Sequence, residues 1–174
     1  SGNISYIFQN ERLLSNLTVQ QNLEYVLKGA EKDIAKMRQK IADILNDVEL
    51  FGKKDAYPDE LSGGMRQRLS MARAFVYPSD TLLMDEPFKS LDYSLKNRIT
   101  EKFISLWEKY RQSVVFVTHD IDEALIIADT IYIIKGAPAQ IVYKQKIDFP
   151  AGKRDITQSY FTDIRNAIYK KMSD

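Results

Sequence analysis

LSGGMRQRLSMARAFV, from Leu61 to Val76, decides the reading of the chain, and it is followed five residues later by TLLMDEP, from Thr81 to Pro87. Ser62 is a good helix N-cap, and Gly63-Gly64 behind it leave backbone N–H groups accessible at the helix start. Such a start either simply caps a helix or holds an anion, through free N–H groups and the positive end of the helix dipole. TLLM is an apolar run of buried-strand length, stopped by Asp85-Glu86-Pro87. A strand ending in two acids places carboxylates at the C-terminal edge of a sheet, where ligands of open α/β folds collect. Neighbouring strand residues point to opposite sides, so Asp85 and Glu86 can take different tasks: one binding a hydrated Mg²⁺, the other polarising a water. The plainer reading of the pair is a polar strand end turning into a loop.

Upstream of the serine helix, Ile4 to Phe8 has the composition of a short strand and runs into Gln9. A helix is expected over Val19 to Leu27, with Leu23, Val26 and Leu27 on one face and Gly29 at its end. Glu31 to Leu50 reads as an amphipathic helix with Ile34, Met37, Ile41, Leu45 and Val48 on its apolar face and Gly52 as its cap. Tyr57 to Glu60 is a turn. Downstream, Leu95, Ile99, Phe103, Leu106 and Tyr110 mark a long helix, and SVVFVT (Ser113 to Thr118) a second buried strand. A short helix over Ile121 to Ala128 follows, then strands at Thr130 to Ile134 and Ala139 to Tyr143, paired as a hairpin through Gly136. Ile156, Tyr160, Ile164, Ile168 and Met172 recur every fourth residue and predict a closing helix. The order of elements, helix-rich first and then strand-helix-strand, predicts an α/β fold with a parallel-sheet core and a helical insertion.

Composition narrows the function classes. The chain has 174 residues, 44% of them hydrophobic and 28% charged, with a net charge of +1, which fits a globular chain and gives no polyanion-binding signal. No nucleic-acid partner is expected. The absence of cysteine removes disulfides and thiolate metal sites. No apolar run reaches the roughly 18 to 20 residues needed to span a bilayer, so the chain is expected to be soluble. Ser1-Gly2, with no start methionine, reads as a cleavage scar ahead of a fragment.

His119, the single histidine, follows the second strand directly. Two neighbouring strands that both end in polar residues would bring it near Glu86, where it suits a hydrogen bond to a phosphate oxygen; a lone histidine is otherwise simply exposed or structural. Phe8-Gln9 at a strand end carries no information by itself.

Taken together and in order, these segments resemble the nucleotide-binding subunit of ABC transporters. Ile7-Phe8-Gln9 looks like the Q-loop, LSGGMRQR the signature, TLLMDEP the Walker B strand, Phe88-Lys89-Ser90-Leu91-Asp92 the D-loop segment, and VTHD the switch-histidine segment. The resemblance covers residues 4 to 145 and implies a P-loop NTPase-type core with a helical subdomain inserted between Q-loop and Walker B. It implies ATP and Mg²⁺ as cofactors: Asp85 and Gln9 at the metal, Glu86 as general base, and His119 at the γ-phosphate. Ser62, Gly63, Gly64 and Gln67 would serve ATP held by the opposite subunit of a head-to-tail homodimer, with Asp92 at that interface. It further implies an ATPase on the cytoplasmic face of the membrane, docked on a permease and served indirectly by a solute-binding protein. LLSNLTVQQNL (Leu13 to Leu23), FKSLDYSLKNRI (Phe88 to Ile99) and a tail with Arg154, Phe161, Arg165 and Ile168-Tyr169 look most like importers of the nitrate, sulfonate, taurine and pyrimidine-precursor group. On this resemblance the chain divides into 1–9 (core strand and Q-loop), 10–77 (helical region), 78–150 (second part of the core) and 151–174 (closing helix).

One family element is missing. A P-loop needs G-x-x-x-x-G-K-[ST]. Gly52-Lys53 has Asp47 where the first glycine belongs, and Gly152-Lys153 has Ile147 there and Arg154 where serine or threonine should follow. The chain is therefore expected to be the C-terminal portion of an ATPase subunit, inactive by itself and prone to self-association through exposed strand edges. Two rivals share the motif set. A natural P-loop-less interaction module is opposed by the intact Asp85-Glu86 pair and His119, and a soluble ABC ATPase acting on DNA or ribosomes by the lack of insertions or a tandem copy.

Overall fold

A computed structural model describes residues 3–89 and 91–173. The expected cleavage scar Ser1-Gly2 and Ser90 of the D-loop segment lie outside the described residues. The chain forms two compact units, Ser1–Val117 and Thr118–Asp174.

In the first unit three parallel strands, β1 (Ile4–Ile7), β2 (Thr81–Asp85) and β3 (Ser113–Val117), pair in the order β1-β2-β3. Ile7 is in register with Met84, and Asp85 with Val117. Parallel neighbours require crossovers. Helices α1 (Val19–Leu27), α2 (Ile34–Asp47) and α3 (Gly63–Val76) fill the first, and α4 (Tyr93–Tyr110) the second. The parallel α/β expectation is met.

Helix α3 is the hub of this unit. It packs on α1, α2, α4 and β1, and its buried set includes Gln67, Leu69, Met71, Ala72 and Phe75. On the sheet side, Leu82 and Met84 of β2 and Ile7 of β1 are buried. Each such side chain contributes about 1.5–3 kcal/mol by leaving water. Phe75, Phe88, Phe103, Tyr110 and Phe116 continue the core along α4, with ring centroids 5.8–6.3 Å apart.

Several local expectations change. SVVFVT forms a strand, but not a buried one: β3 lies at one side of the three-stranded order, and Val115 and Val117 are 57% and 52% exposed. Helix α2 stops at Asp47, well short of Gly52, which lies in a 3-10 turn over Phe51–Lys53. Glu49 takes the left-handed cap position instead (φ 58°), with the Leu50 N–H bonded to the Leu45 carbonyl at 2.8 Å. Ile34, expected on the apolar face of α2, is exposed, because burial on that helix begins only at Ile41; Ile44 joins the face in its place.

The loop before α1 carries a device the apolar pattern does not announce. Asn22 is fully buried and saturated: its Oδ1 accepts from the Leu14 N–H, and its Nδ2 donates to the carbonyls of Leu14, Leu17 and Thr18. Thr18 caps the same helix in a reciprocal capping box with Gln21.

The second unit contains α5 (Ile121–Ile127), a hairpin of β4 (Thr130–Lys135) and β5 (Gln140–Lys146), and α6 (Ser159–Ser173). Gly136, at φ 83°, sits in the hairpin turn as expected. Leu125, Ile133, Phe161, Ile164 and Ile168 belong to a core made within this unit. The every-fourth-residue pattern of the tail is corrected here. Four residues overshoot a helical turn by about 40°, so the stripe drifts; Phe161, Ile164 and Ile168 face the core, while Met172 is 45% exposed. Arg154 donates to the carbonyls of Leu125, Ala128 and Phe149. Its burial lowers the guanidinium below its ordinary pKa. No helix among the described residues is long and apolar enough to cross a membrane.

Candidate functional site

Two clusters of the expected residues form within the first unit. The first is at the C-terminal edge of the parallel sheet. Asp85, the last residue of β2, is exposed. Glu86 follows in the left-handed region at φ 43°, which a residue with a Cβ adopts only when its surroundings enforce it. The enforcement is visible: the Glu86 N–H donates to the Val117 carbonyl at 2.9 Å, carrying the β2–β3 pairing one residue past the strand. Lys89, one turn on, is ion-paired with the Glu86 carboxylate. Gln9 is exposed two residues beyond Ile7, the register partner of Met84, so Gln9 and Glu86 leave adjacent parallel strands at the same sheet edge.

The second cluster lines a surface groove of about 720 Å³ between α3 and α4. Ser62 is the N-cap of α3, its Oγ accepting from the Met65 N–H at 3.3 Å. Gly63 and Gly64 form the first turn behind it. Asp92 caps α4 in the same way, accepting from the Leu95 N–H at 3.0 Å, and lines the same groove as the two glycines. Arg98 and Lys102 stand on the α4 wall, and Lys102 is paired with Glu49 at 2.7 Å.

The two glycines differ in what they allow. A Cβ on Gly64 would stand 2.7 Å from Leu95 Cδ1, so α3 and α4 approach closely there. At Gly63 the nearest atom would be Arg66 Nη2, 3.9 Å away. Packing within the chain does not require Gly63 to lack a side chain.

The Leu61–Val76 stretch forms this capped helix, and a family model described as ABC transporter matches residues 1–89. The chain belongs to the ABC transporter family. Its parallel sheet is that of a P-loop NTPase-type core. Similar proteins of the family include the aliphatic sulfonates import ATP-binding protein SsuB of Bacillus subtilis (strain 168), 38% identical over 94% of this chain and 62% of the relative. SsuB of Bacillus anthracis is 34% identical over 95% of this chain and 64% of the relative. The nitrate import ATP-binding protein NrtD of a Synechocystis strain is 33% identical over 97% and 63%. The chain thus spans less than two thirds of the length of these ABC transporter relatives.

Three contacts of this ABC transporter chain went unread in the sequence, and all start from α3. Gln67, expected to serve a nucleotide, is 2% exposed, and its Nε2 donates to the Pro87 carbonyl at 2.7 Å. Arg73 Nη1 donates to the Arg12 carbonyl at 2.7 Å, in the loop after Gln9, and its burial lowers the guanidinium below its ordinary pKa. Arg66 lies 3.8 Å from Glu11 of that loop. A signal for Gln67 existed: it stands between Gly64 and Met71 at helical spacing, a polar residue on the buried stripe.

His119 is exposed in the second unit, just before Asp120, the N-cap of α5. Next to it, Thr118 Oγ1 donates to Glu123 Oε2 at 2.6 Å and accepts from the Asp120 N–H at 3.0 Å.

Proposed function

We propose that the protein containing this chain is the ATP-hydrolysing subunit of an importer of small anionic solutes, of the kind named for its sulfonate and nitrate relatives. The observation that carries the reading is Glu86, held in a strained conformation at the end of the central parallel strand. Among the described residues no three His, Asp or Glu side chains form a metal cluster. A cation at the β2 edge would therefore rely on the Asp85 carboxylate with Gln9 beside it, as suits Mg²⁺ held partly by substrate phosphates.

In this proposal Asp85 and Gln9 hold the metal, and Glu86 orients the attacking water and accepts its proton. His119 donates a hydrogen bond to a γ-phosphate oxygen. Ser62, Gly63 and Gly64 offer a hydroxyl and N–H groups to nucleotide bound by a second copy in a head-to-tail dimer, with Asp92 on the rim of the same contact. Bound Mg²⁺ supplies neutralisation of the charge on the transferred phosphoryl group. The helical region 10–77 docks on a permease at the cytoplasmic face of the membrane, and other subunits select the solute. The remaining boundaries, 1–9, 78–150 and 151–174, divide core from closing helix.

The test is Mg-ATP hydrolysis by the full-length protein. Glu86→Gln is expected to lower kcat by about 100-fold or more while ATP binding persists; hydrolysis at the wild-type rate would refute the assignment. These 174 residues contain no G-x-x-x-x-G-K-[ST], so the isolated chain neither hydrolyses ATP nor binds it tightly. Micromolar affinity for Mg-ATP in calorimetry on that chain would overturn this.

A further inference from the structure

The conformation of Glu86 needs holding on both sides. At φ 43° it occupies a region disfavoured for any residue with a Cβ, and such a state persists only where neighbouring contacts over-determine it. On the N-terminal side the anchor is the bond from its N–H to the Val117 carbonyl. On the C-terminal side stands Pro87, whose ring fixes its own φ and whose carbonyl receives the Gln67 amide at 2.7 Å. Phe88, 1% exposed against Phe103 and Phe116, seats the following residue in the core.

Gln67 sits one turn beyond Gly63 on α3, with its side chain buried rather than turned to the groove. Its amide spans 20 residues of sequence to the carbonyl of Pro87, the residue that follows Glu86. From these contacts we propose that Gln67 is a positioning residue. In place of a nucleotide contact, it fixes the backbone that aims the Glu86 carboxylate, and it joins the glycine start of α3 to that carboxylate through one buried bond. The proposal rests on Glu86 acting as the base in ATP hydrolysis.

The experiment uses the full-length protein and Gln67→Met, which keeps side-chain length and loses the donor. Two readouts are taken: steady-state Mg-ATP hydrolysis, and hydrogen exchange at the Glu86 amide. The expected result is a fall in kcat of about tenfold or more with KM changed by less than about twofold, together with faster exchange at Glu86. A merely structural role would move the melting temperature without this split between kcat and KM. A wild-type kcat, or unchanged exchange at Glu86, overturns the proposal. If the wild-type full-length protein does not hydrolyse Mg-ATP, the ATPase reading fails, and exchange alone then decides whether Gln67 holds the loop. Should Gln67→Met not fold, the same comparison is made with Gln67→Asn, whose amide falls one methylene short of Pro87.

Discussion

Gly64 and Leu95 meet so closely that a single added carbon on the glycine would lie 2.7 Å from Leu95 Cδ1, whereas the same carbon on the adjacent Gly63 would have its nearest neighbour 3.9 Å away. The two glycines of one dipeptide therefore answer to different constraints. Gly64→Ala forces the Leu95 side chain out of its rotamer and is expected to be the less stable of the two variants, by about 0.5–1.5 kcal/mol. Gly63→Ala is expected to be neutral or to stabilise by up to about 1 kcal/mol, since it removes backbone freedom at a helical position. Urea unfolding of both variants checks the contrast, and equal losses would contradict it.

Asn22 is a fully buried polar side chain that ties the loop before α1 to the helix. Asn22→Ala removes the side-chain partner of the Leu14 N–H and of the Leu17 carbonyl, while the Leu14 and Thr18 carbonyls keep their backbone donors, at about 1–3 kcal/mol for each group left buried without a partner. A loss of roughly 2–4 kcal/mol is expected. Asn22→Asp keeps the acceptor for Leu14 but turns an oxygen toward three carbonyls. Its cost at neutral pH should be at least as large and should shrink as the carboxylate is protonated. Denaturant titrations at two pH values decide this.

Glu49 balances strain against charge. Its left-handed backbone is disfavoured by about 1–2 kcal/mol, while its exposed pairs with Lys102 and Arg68 are worth about 0–1 kcal/mol each. Glu49→Gly is therefore expected to be more stable than wild type at 1 M salt, where the pairs are screened, with the advantage narrowing at low salt. Thermal melts across ionic strength provide the measurement.

Tyr110 predicts alkaline behaviour. Burial first, then the neighbouring Asp47, which accepts a hydrogen bond from its hydroxyl at 3.1 Å, raises the phenol well above its ordinary pKa. The unfolded phenol ionises near 10, while the folded one keeps its proton. Above that pH the unfolded state binds fewer protons, so stability present below about pH 10 declines as pH rises. Tyr110→Phe should lose the Asp47 bond at neutral pH and show a shallower decline above pH 10.

Self-association is expected of the isolated chain. Ile4, Tyr6, Val115 and Val117 leave apolar surface on strands β1 and β3, which favours pairing with a second copy. Light scattering at rising concentration should show species larger than a monomer, and Val115→Lys should reduce them. A strict monomer throughout would oppose the expectation.

Much of this molecule could be read from residue order because its periodic signals are local. TLLMD, the Ser62 cap and the Leu95–Tyr110 stripe each combine a pattern with a stop, and each forms the expected element. Where the reading slipped, a longer-range term decided. Gly52 looked like a helix cap, but Glu49 takes the left-handed turn three residues earlier, with Leu50 buried and its N–H bonded back to the Leu45 carbonyl. SVVFVT has the composition of a central strand, yet its burial depends on which strands flank it, a property no single segment encodes. The tail's four-residue spacing marked a helix correctly and its buried face only in part. At the site, the residue types of Asp85, Glu86 and Gly63 were legible. The tethers from Gln67 and Arg73 were not, since their partners are backbone carbonyls and leave no trace in side-chain chemistry.

The core around Phe161, drawn entirely from residues after Val117, bears on cooperativity. A chain with two separately built interiors need not melt as one all-or-none unit. In calorimetry the heat absorbed would then exceed the van't Hoff enthalpy of either transition, and a substitution such as Phe161→Ala would shift the melting of one interior while leaving the other at its own temperature.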